Sequence, residues 1–268
     1  MNKDLEKQSR SIADASGFPL QIGIAKSVNL NPNWKVLLEE HPWSSLATQS
    51  EGFIDIVIEE RNHGVQLMVI ECKRVRQTEW VFLIPDPSPE KGSHARIWRS
   101  QFDPFKKWLL FGWEDFQAKP MSYESKFCAI PGQERGRKTL LERTASELVA
   151  SIEALADEEK KITINCVREE EKRSAVHYFN RAYIPVIVTT AELRVALFKP
   201  GSVSLTDGSL PSDAVFETVP YIRFRKSLSR IESIVHPSLQ DVYKATERTV
   251  FVVNAVSFAD FLDSWKIT

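Results

Sequence analysis

The chain has 268 residues, 43% of them hydrophobic and 26% charged, which is long and apolar enough to bury a core and too apolar for wholesale disorder. Lys and Arg number 35 against 36 Asp and Glu, for a net charge of -1, which excludes a histone-like basic protein and a polyanionic tail but not a locally basic groove. Three cysteines without zinc-ligand spacing argue against a secreted disulfide scaffold, and the polar start MNKDLEKQSRSIADAS has no signal-peptide apolar region. No window holds the ~18 consecutive apolar residues of a membrane span, so a soluble cytoplasmic protein with no membrane partner is expected.

In chain order, Pro19 sits well in the first turn of a helix over Leu20 to Val28. Trp34 to Glu40 has strand patterning, with Pro42 as its end. Phe53 to Glu59 and Val65 to Lys73 are two clear strands joined by the turn-like Arg61-Asn62-His63-Gly64, and Trp80 to Ile84 is a short buried strand. The aromatic stretch Ile97 to Phe116 reads as helical around Phe102 to Leu110, because Phe102, Phe105 and Trp108 recur at helical spacing. Lys126 to Ile130 reads as a strand.

Thr139 opens a strong helix with capping-box spacing to Glu142 and an apolar face of Leu140, Leu141, Leu148, Val149, Ile152 and Leu155. Its charged end, Asp157 to Lys161, reads as a solvated surface. Ile184 to Thr189, Leu193 to Phe198 and Val250 to Asn254 are further strands, Lys199 to Asp213 a long loop, and Phe258 to Trp265 a closing helix. Strands alternating with helices predict an α/β fold, a mixed central sheet flanked by helices on both faces. With no linker to divide it, 1–268 is expected to be one domain, with a core over about 18–156 and a C-terminal extension of the sheet over about 157–268.

The segment Phe53 to Arg76, FIDIVIEERNHGVQLMVIECKRVR, carries the chemistry. Residues two apart on a strand share a face, so Leu67, Val69, Glu71 and Lys73 point one way, and Phe53, Asp55 and Val57 share a face of the preceding strand. A hairpin centred on His63 puts Asp55 opposite Glu71, with Cβ atoms ~4.5 to 5.5 Å apart. Two carboxylates so placed repel and raise each other's pKa, and a divalent cation removes the conflict. Carboxylates, water and phosphate oxygens are the ligands Mg²⁺ favours. Lys73 beside them suits a phosphate holder or a water-positioning base, and the set fits phosphodiester hydrolysis. The competing reading is a same-face surface ion pair of Glu71 with Lys73 and an edge-strand Asp55. Against it stand the apolar runs that precede all three, since buried charge is costly unless paired or metal-bound.

Asp55, fifteen intervening residues and then Glu71-Cys72-Lys73 resemble the signature of the PD-(D/E)xK, or restriction-endonuclease-like, nuclease superfamily. The order of a first helix, a strand, the Asp strand and the Glu-x-Lys strand is similar too, over roughly 18–156. The resemblance implies a restriction-endonuclease-like fold and a Mg²⁺-dependent deoxyribonuclease, most readily an endonuclease, with Mn²⁺ as a substitute and RNA not excluded. Restriction, repair and anti-phage defence are its settings, with a homodimer or a larger complex as partner. It further implies Asp55 and Glu71 as metal ligands, Lys73 as the assistant of the attacking water, and the backbone carbonyl of Cys72 as a ligand. Two positions depart from the pattern. Ile54 replaces the proline, and Gln21 stands where the first helix often supplies a Glu; Glu39 and Glu40 are the nearest acids that could serve instead.

Arg74 and Arg76, after the Glu-x-Lys strand, and Arg137 and Lys138, before the Thr139 helix, are candidate phosphate contacts, or else solvated basic residues. The five histidines are scattered without zinc spacing. Two alternatives to the enzyme remain: a nuclease-like module that binds or senses nucleic acid without cutting it, and an interaction subunit whose surface is the aromatic stretch.

Overall fold

The computed structural model describes residues 3–45, 49–76, 78–103, 108–132, 138–170, 179–228 and 244–267. Among them no helix is long and apolar enough to cross a membrane. The polar N-terminal segment forms Lys3–Ser16 (α1), which the sequence does not announce, and Gly17, at a φ of 83° open to glycine, turns the chain into Phe18–Leu30 (α2) with proline in its first turn. Three antiparallel strands follow, Trp34–Ser45 (β1), Ser50–Glu60 (β2) and Gln66–Lys73 (β3). β1 runs on through Pro42, contrary to expectation. It is an edge strand, where a missing N–H costs no ladder bond.

Glu79–Ile84 (β4) leads into Gly92–Asp103 (β5) and Trp108–Ser122 (β6), a long antiparallel hairpin. This corrects the helix expected over Phe102 to Leu110, although 104–107 lies outside the described residues. Aromatic residues suit a pleated surface, and Ala95 and Ile97 alternate into the core as strand residues do. Glu124–Ser125 (β7) and Phe127–Ala129 (β8) precede Leu140–Glu170 (α3). The capping box forms as expected: the Thr139 Oγ1 accepts the Glu142 N–H at 2.9 Å, and a Glu142 carboxylate oxygen accepts the Thr139 N–H at 2.9 Å. α3 continues through the charged run to Glu170. There Asp157 and Glu158 are exposed but Glu159 turns inward, which corrects the uniformly solvated reading.

Phe179–Thr189 (β9), Glu192–Leu197 (β10), Val215–Thr218 (β11), Tyr221–Ser227 (β12), Glu247–Asn254 (β13), Phe258–Ser264 (α4) and Lys266–Ile267 (β14) complete the chain. The main sheet has the order β1-β2-β3-β9-β13-β12-β7, with the β5–β6 hairpin joined to the first half of β9. β3, β9 and β13 are parallel, as are β12 and β7, whereas β1–β2, β2–β3 and β12–β13 are antiparallel, so the sheet is mixed, as expected for an α/β fold. Because β9 pairs directly with β3, the chain from residue 179 fills the middle of the sheet rather than extending its edge.

α2 and α4 cover one face of this sheet, burying Ile24, Val28, Phe258 and Phe261 against Ile56, Met68 and Ile70. The other face carries α3, through Leu141, Leu148 and Ile152, together with a second sheet of order β11-β10-β4-β8. Val57, Leu67 and Val69 point to this α3 side. The continuation of β3 on that side, Glu71 and Lys73, is where the apolar face ends.

Candidate metal and catalytic site

The β2–β3 ladder pairs Ile56 with Ile70, Val57 with Val69, Ile58 with Met68 and Glu59 with Leu67, the register centred on His63. One step further on, the ladder gives way to side-chain chemistry. An Asp55 carboxylate oxygen accepts the Cys72 N–H at 2.6 Å. Lys73 reaches back along its own strand to Glu71, Nζ to carboxylate oxygen 2.5 Å, so the two share the α3 face as expected. Glu147 of α3 adds its charge to both.

The strand is irregular at this point. Ile54 and Val57 pack in the α3-side core, whereas Ile56 packs in the α2-side core. Strict alternation would put residues 54 and 56 on one face, so β2 turns over at Asp55 and the expected unbroken face through Phe53, Asp55 and Val57 does not form. Across the other ladder, β1 shifts register between Val36 and Leu38 and keeps one register from there on. Glu39 lies opposite Ile56 and His41 opposite Ile54, leaving Glu40 facing Asp55 with a left-handed φ of 49°.

Electrostatics agree with the crowding. Burial first, and then the charge of Asp55, push the Glu71 carboxyl up to about 7, against the pull of Lys73. Asp55 is also raised, by burial and by Glu40, with the Cys72 N–H and Lys73 opposing. For Lys73 burial works downward and is outweighed by Glu71 and Asp55, so the ammonium is held more firmly protonated. The Cys72 thiol, on the opposite face, is pushed up by burial and is no nucleophile.

A cation fits this donor set by its chemistry. The carboxylates of Asp55 and Glu71 are hard oxygen donors whose repulsion a divalent ion would relieve. Lys73 gives its carbonyl to Thr190 on the β9 side at 3.2 Å, so the Cys72 backbone, which alternates with it, faces the Asp55 side. No three His, Cys, Asp or Glu side chains among the described residues converge as a ready-made metal centre. Water and a phosphate would therefore have to complete the shell.

The remaining predicted residues divide. Gln21 is buried at 6% exposure and donates its amide to Glu40 Oε1 at 2.6 Å and to the Asp55 backbone carbonyl at 2.9 Å, so it touches the site without being an open ligand. Arg74 is bonded to the Asp14 carbonyl of α1 and is not aimed at the acids. Arg76 and Lys138 are exposed, and Lys138 lies at the α3 N-terminus, about 13 Å along the helix from Glu147. Arg137 lies outside the described residues. Sequence reasoning did not pick out Glu147 or Arg143, both exposed on α3; only the contact of that helix with β3 brings them into view.

A groove of about 1150 Å³ lies between residues 42–45 of β1, residues 51–53 of β2 and the second half of α3, two residues along each strand from Glu40 and Asp55. It is lined by Trp43 and Phe53 and by the acids Glu51, Glu153, Asp157 and Glu158, with Lys161 paired to Asp157 at 2.7 Å. Along α3 the candidate site thus falls between a basic beginning and an acidic groove. No protein-family model, curated protein or solved structure gives a match to this chain.

Proposed function

We propose that this chain is a Mg²⁺-dependent nuclease that hydrolyses phosphodiester bonds, with DNA as its substrate. The observation that carries the reading is the pair of half-buried carboxylates, Asp55 and Glu71, set on adjacent strands with Lys73 bonded to Glu71 and acting on both. A pair this costly in the metal-free chain is well suited to a divalent ion.

In this reading Asp55, Glu71 and the Cys72 carbonyl hold the cation. The ion, when bound, lowers the pKa of an attacking water and neutralises charge on the phosphate. Glu71 holds Lys73 protonated, so its ammonium serves as a donor to a phosphate oxygen or to the water rather than as a base at neutral pH. The strand approaches from the start of α3, where Lys138 and Arg143 are exposed, because the acidic groove beyond residue 153 repels phosphate.

The deciding experiment is incubation of plasmid and single-stranded DNA with Mg²⁺ or Mn²⁺, wild type beside Lys73→Ala. Metal-dependent nicking or degradation should fall about 10²–10⁴-fold in the variant. Cleavage that persists in Lys73→Ala would remove this site. A folded wild type that cuts neither substrate with either metal would remove the enzyme and leave a binding module.

A further inference from the structure

We infer that Glu40 is the third carboxylate of this site, held in place by Gln21 and reaching a bound cation through water in its shell. The inference rests on the metal reading above and adds to it a residue on a different element, the edge strand β1.

The argument starts at Gln21. A side-chain amide buried to 6% exposure at the beginning of α2 must have a use, since an unbonded one would be costly. Its Nε2 bridges Glu40 Oε1 at 2.6 Å and the Asp55 carbonyl at 2.9 Å, so one neutral donor ties α2 to both strands at the point where each departs from regular geometry. A glutamate at position 21 could not do this, because it would face the Glu40 carboxylate with no proton to offer. Gln21 therefore has the chemistry of a clamp on an acid rather than of a lost acid.

Glu40 shows the complementary half. It adopts a left-handed φ of 49°, a conformation that glycine or asparagine takes more easily than a longer side chain. It is exposed, yet among the described residues no Lys, Arg or His pairs with it, although its charge is felt at Asp55. A carboxylate oriented by a buried amide, beside a carboxylate and without a cationic partner, is left to meet a cation from solution. The role is outer-shell because Asp55, Glu71 and Glu40 do not converge closely enough to bind one ion together, and Mg²⁺ gives up its water reluctantly.

The test is calorimetric titration of the full-length chain with Mn²⁺ at neutral pH, without nucleic acid. The variants are Asp55→Asn, Glu40→Gln, Gln21→Met and the double variant Glu40→Gln with Gln21→Met. Wild type should bind, and Asp55→Asn should not. Glu40→Gln, exposed and near-isosteric and thus safe for the fold, should bind about 10-fold more weakly, the usual loss when a supporting group of a metal site is removed. Gln21→Met should lose a similar factor alone and nothing further in the Glu40→Gln background, because Gln21 acts through Glu40. Wild-type affinity in Glu40→Gln, with binding lost in Asp55→Asn, overturns this inference and leaves the metal site standing. Independent, additive losses from the two substitutions overturn the clamp. No Mn²⁺ uptake by the wild type overturns both this inference and the metal reading.

Discussion

Strands β2, β3 and β9 carry two clusters of charge, one toward each end. At one end Arg181 lies between two carboxylates, 2.5 Å from Glu159 and 3.4 Å from Glu59. Lys35 closes on Glu59 at 2.8 Å, and the Tyr183 hydroxyl donates to Glu159. Even the turn joining β2 to β3 conforms: a Cβ on Gly64, whose φ is +61°, would come within 3.1 Å of Glu59 Oε1. At the other end Asp55, Glu71 and Glu147 share the influence of one ammonium, Lys73, and Glu40 adds its charge at Asp55. The first cluster is matched group for group and fastens α3 to the sheet. The second carries more negative charge than its cation offsets, and this difference separates a structural network from a site prepared for a ligand.

The contrast is broken most severely by substituting the centre of each cluster. Asp55→Asn should lower metal-dependent DNA cleavage by about 10³-fold while leaving the urea midpoint of the metal-free chain unchanged or higher, since it removes a repelling charge. Arg181→Met should do the reverse, because it leaves the inward-turned Glu159 without its cation and Glu59 with Lys35 alone. Unfolding stability should fall by about 3 kcal/mol, with cleavage per folded molecule preserved. Equal damage to stability from both substitutions would erase the distinction.

Much of the second cluster is legible in the sequence because its parts are local. The hairpin register follows from symmetry about His63, and the shared face of Glu71 and Lys73 follows from strand alternation. What escapes is non-local or irregular. Gln21 meets Glu40 and Asp55 only because α2 packs across the middle of β1 and β2, and the turning over of β2 at Asp55 leaves no mark in the pattern of apolar residues. Arg74 looks free until α1 is seen to occupy it. In the fold at large, the β5–β6 hairpin is misread because aromatic residues three apart fit a helix while their neighbours alternate as in a strand. The central place of β9 depends on pairing with β3 across more than a hundred residues, which no local pattern reports.

Protons provide a finer comparison. Below pH 4.5 the Glu71 carboxyl is neutral in both folded and unfolded chains. As pH rises the unfolded chain ionises first, so stability is lost progressively until the folded carboxyl also ionises near 7. The interval from 4.5 to about 7, at about 1.4 kcal/mol per pH unit, comes to roughly 3 kcal/mol. Urea unfolding of the metal-free chain across this range should show that decline in wild type and a distinctly flatter profile in Glu71→Gln. Glu159, also raised by burial, is present in both chains, so the difference between them reports Glu71 together with its neighbour Asp55. Identical profiles would mean that neither burial nor the charge of Asp55 raises the Glu71 carboxyl in the folded chain.

The smallest effect belongs to the matched cluster. Tyr183→Phe deletes the hydroxyl that donates to Glu159 but leaves the ring in the core and Arg181 beside the carboxylate. One hydrogen bond to a carboxylate that keeps its cation should cost about 1 kcal/mol in urea unfolding and leave Mn²⁺ binding untouched. The measurement is informative because the two clusters share strands: Tyr183 lies on β9 beside Leu67 of β3, four residues before Glu71. If the clusters are independent, the loss is confined to stability. A change in Mn²⁺ affinity would instead mean that the α3 anchor sets the spacing of Glu71 and Glu147, and that the structural network at one end of these strands tunes the site at the other.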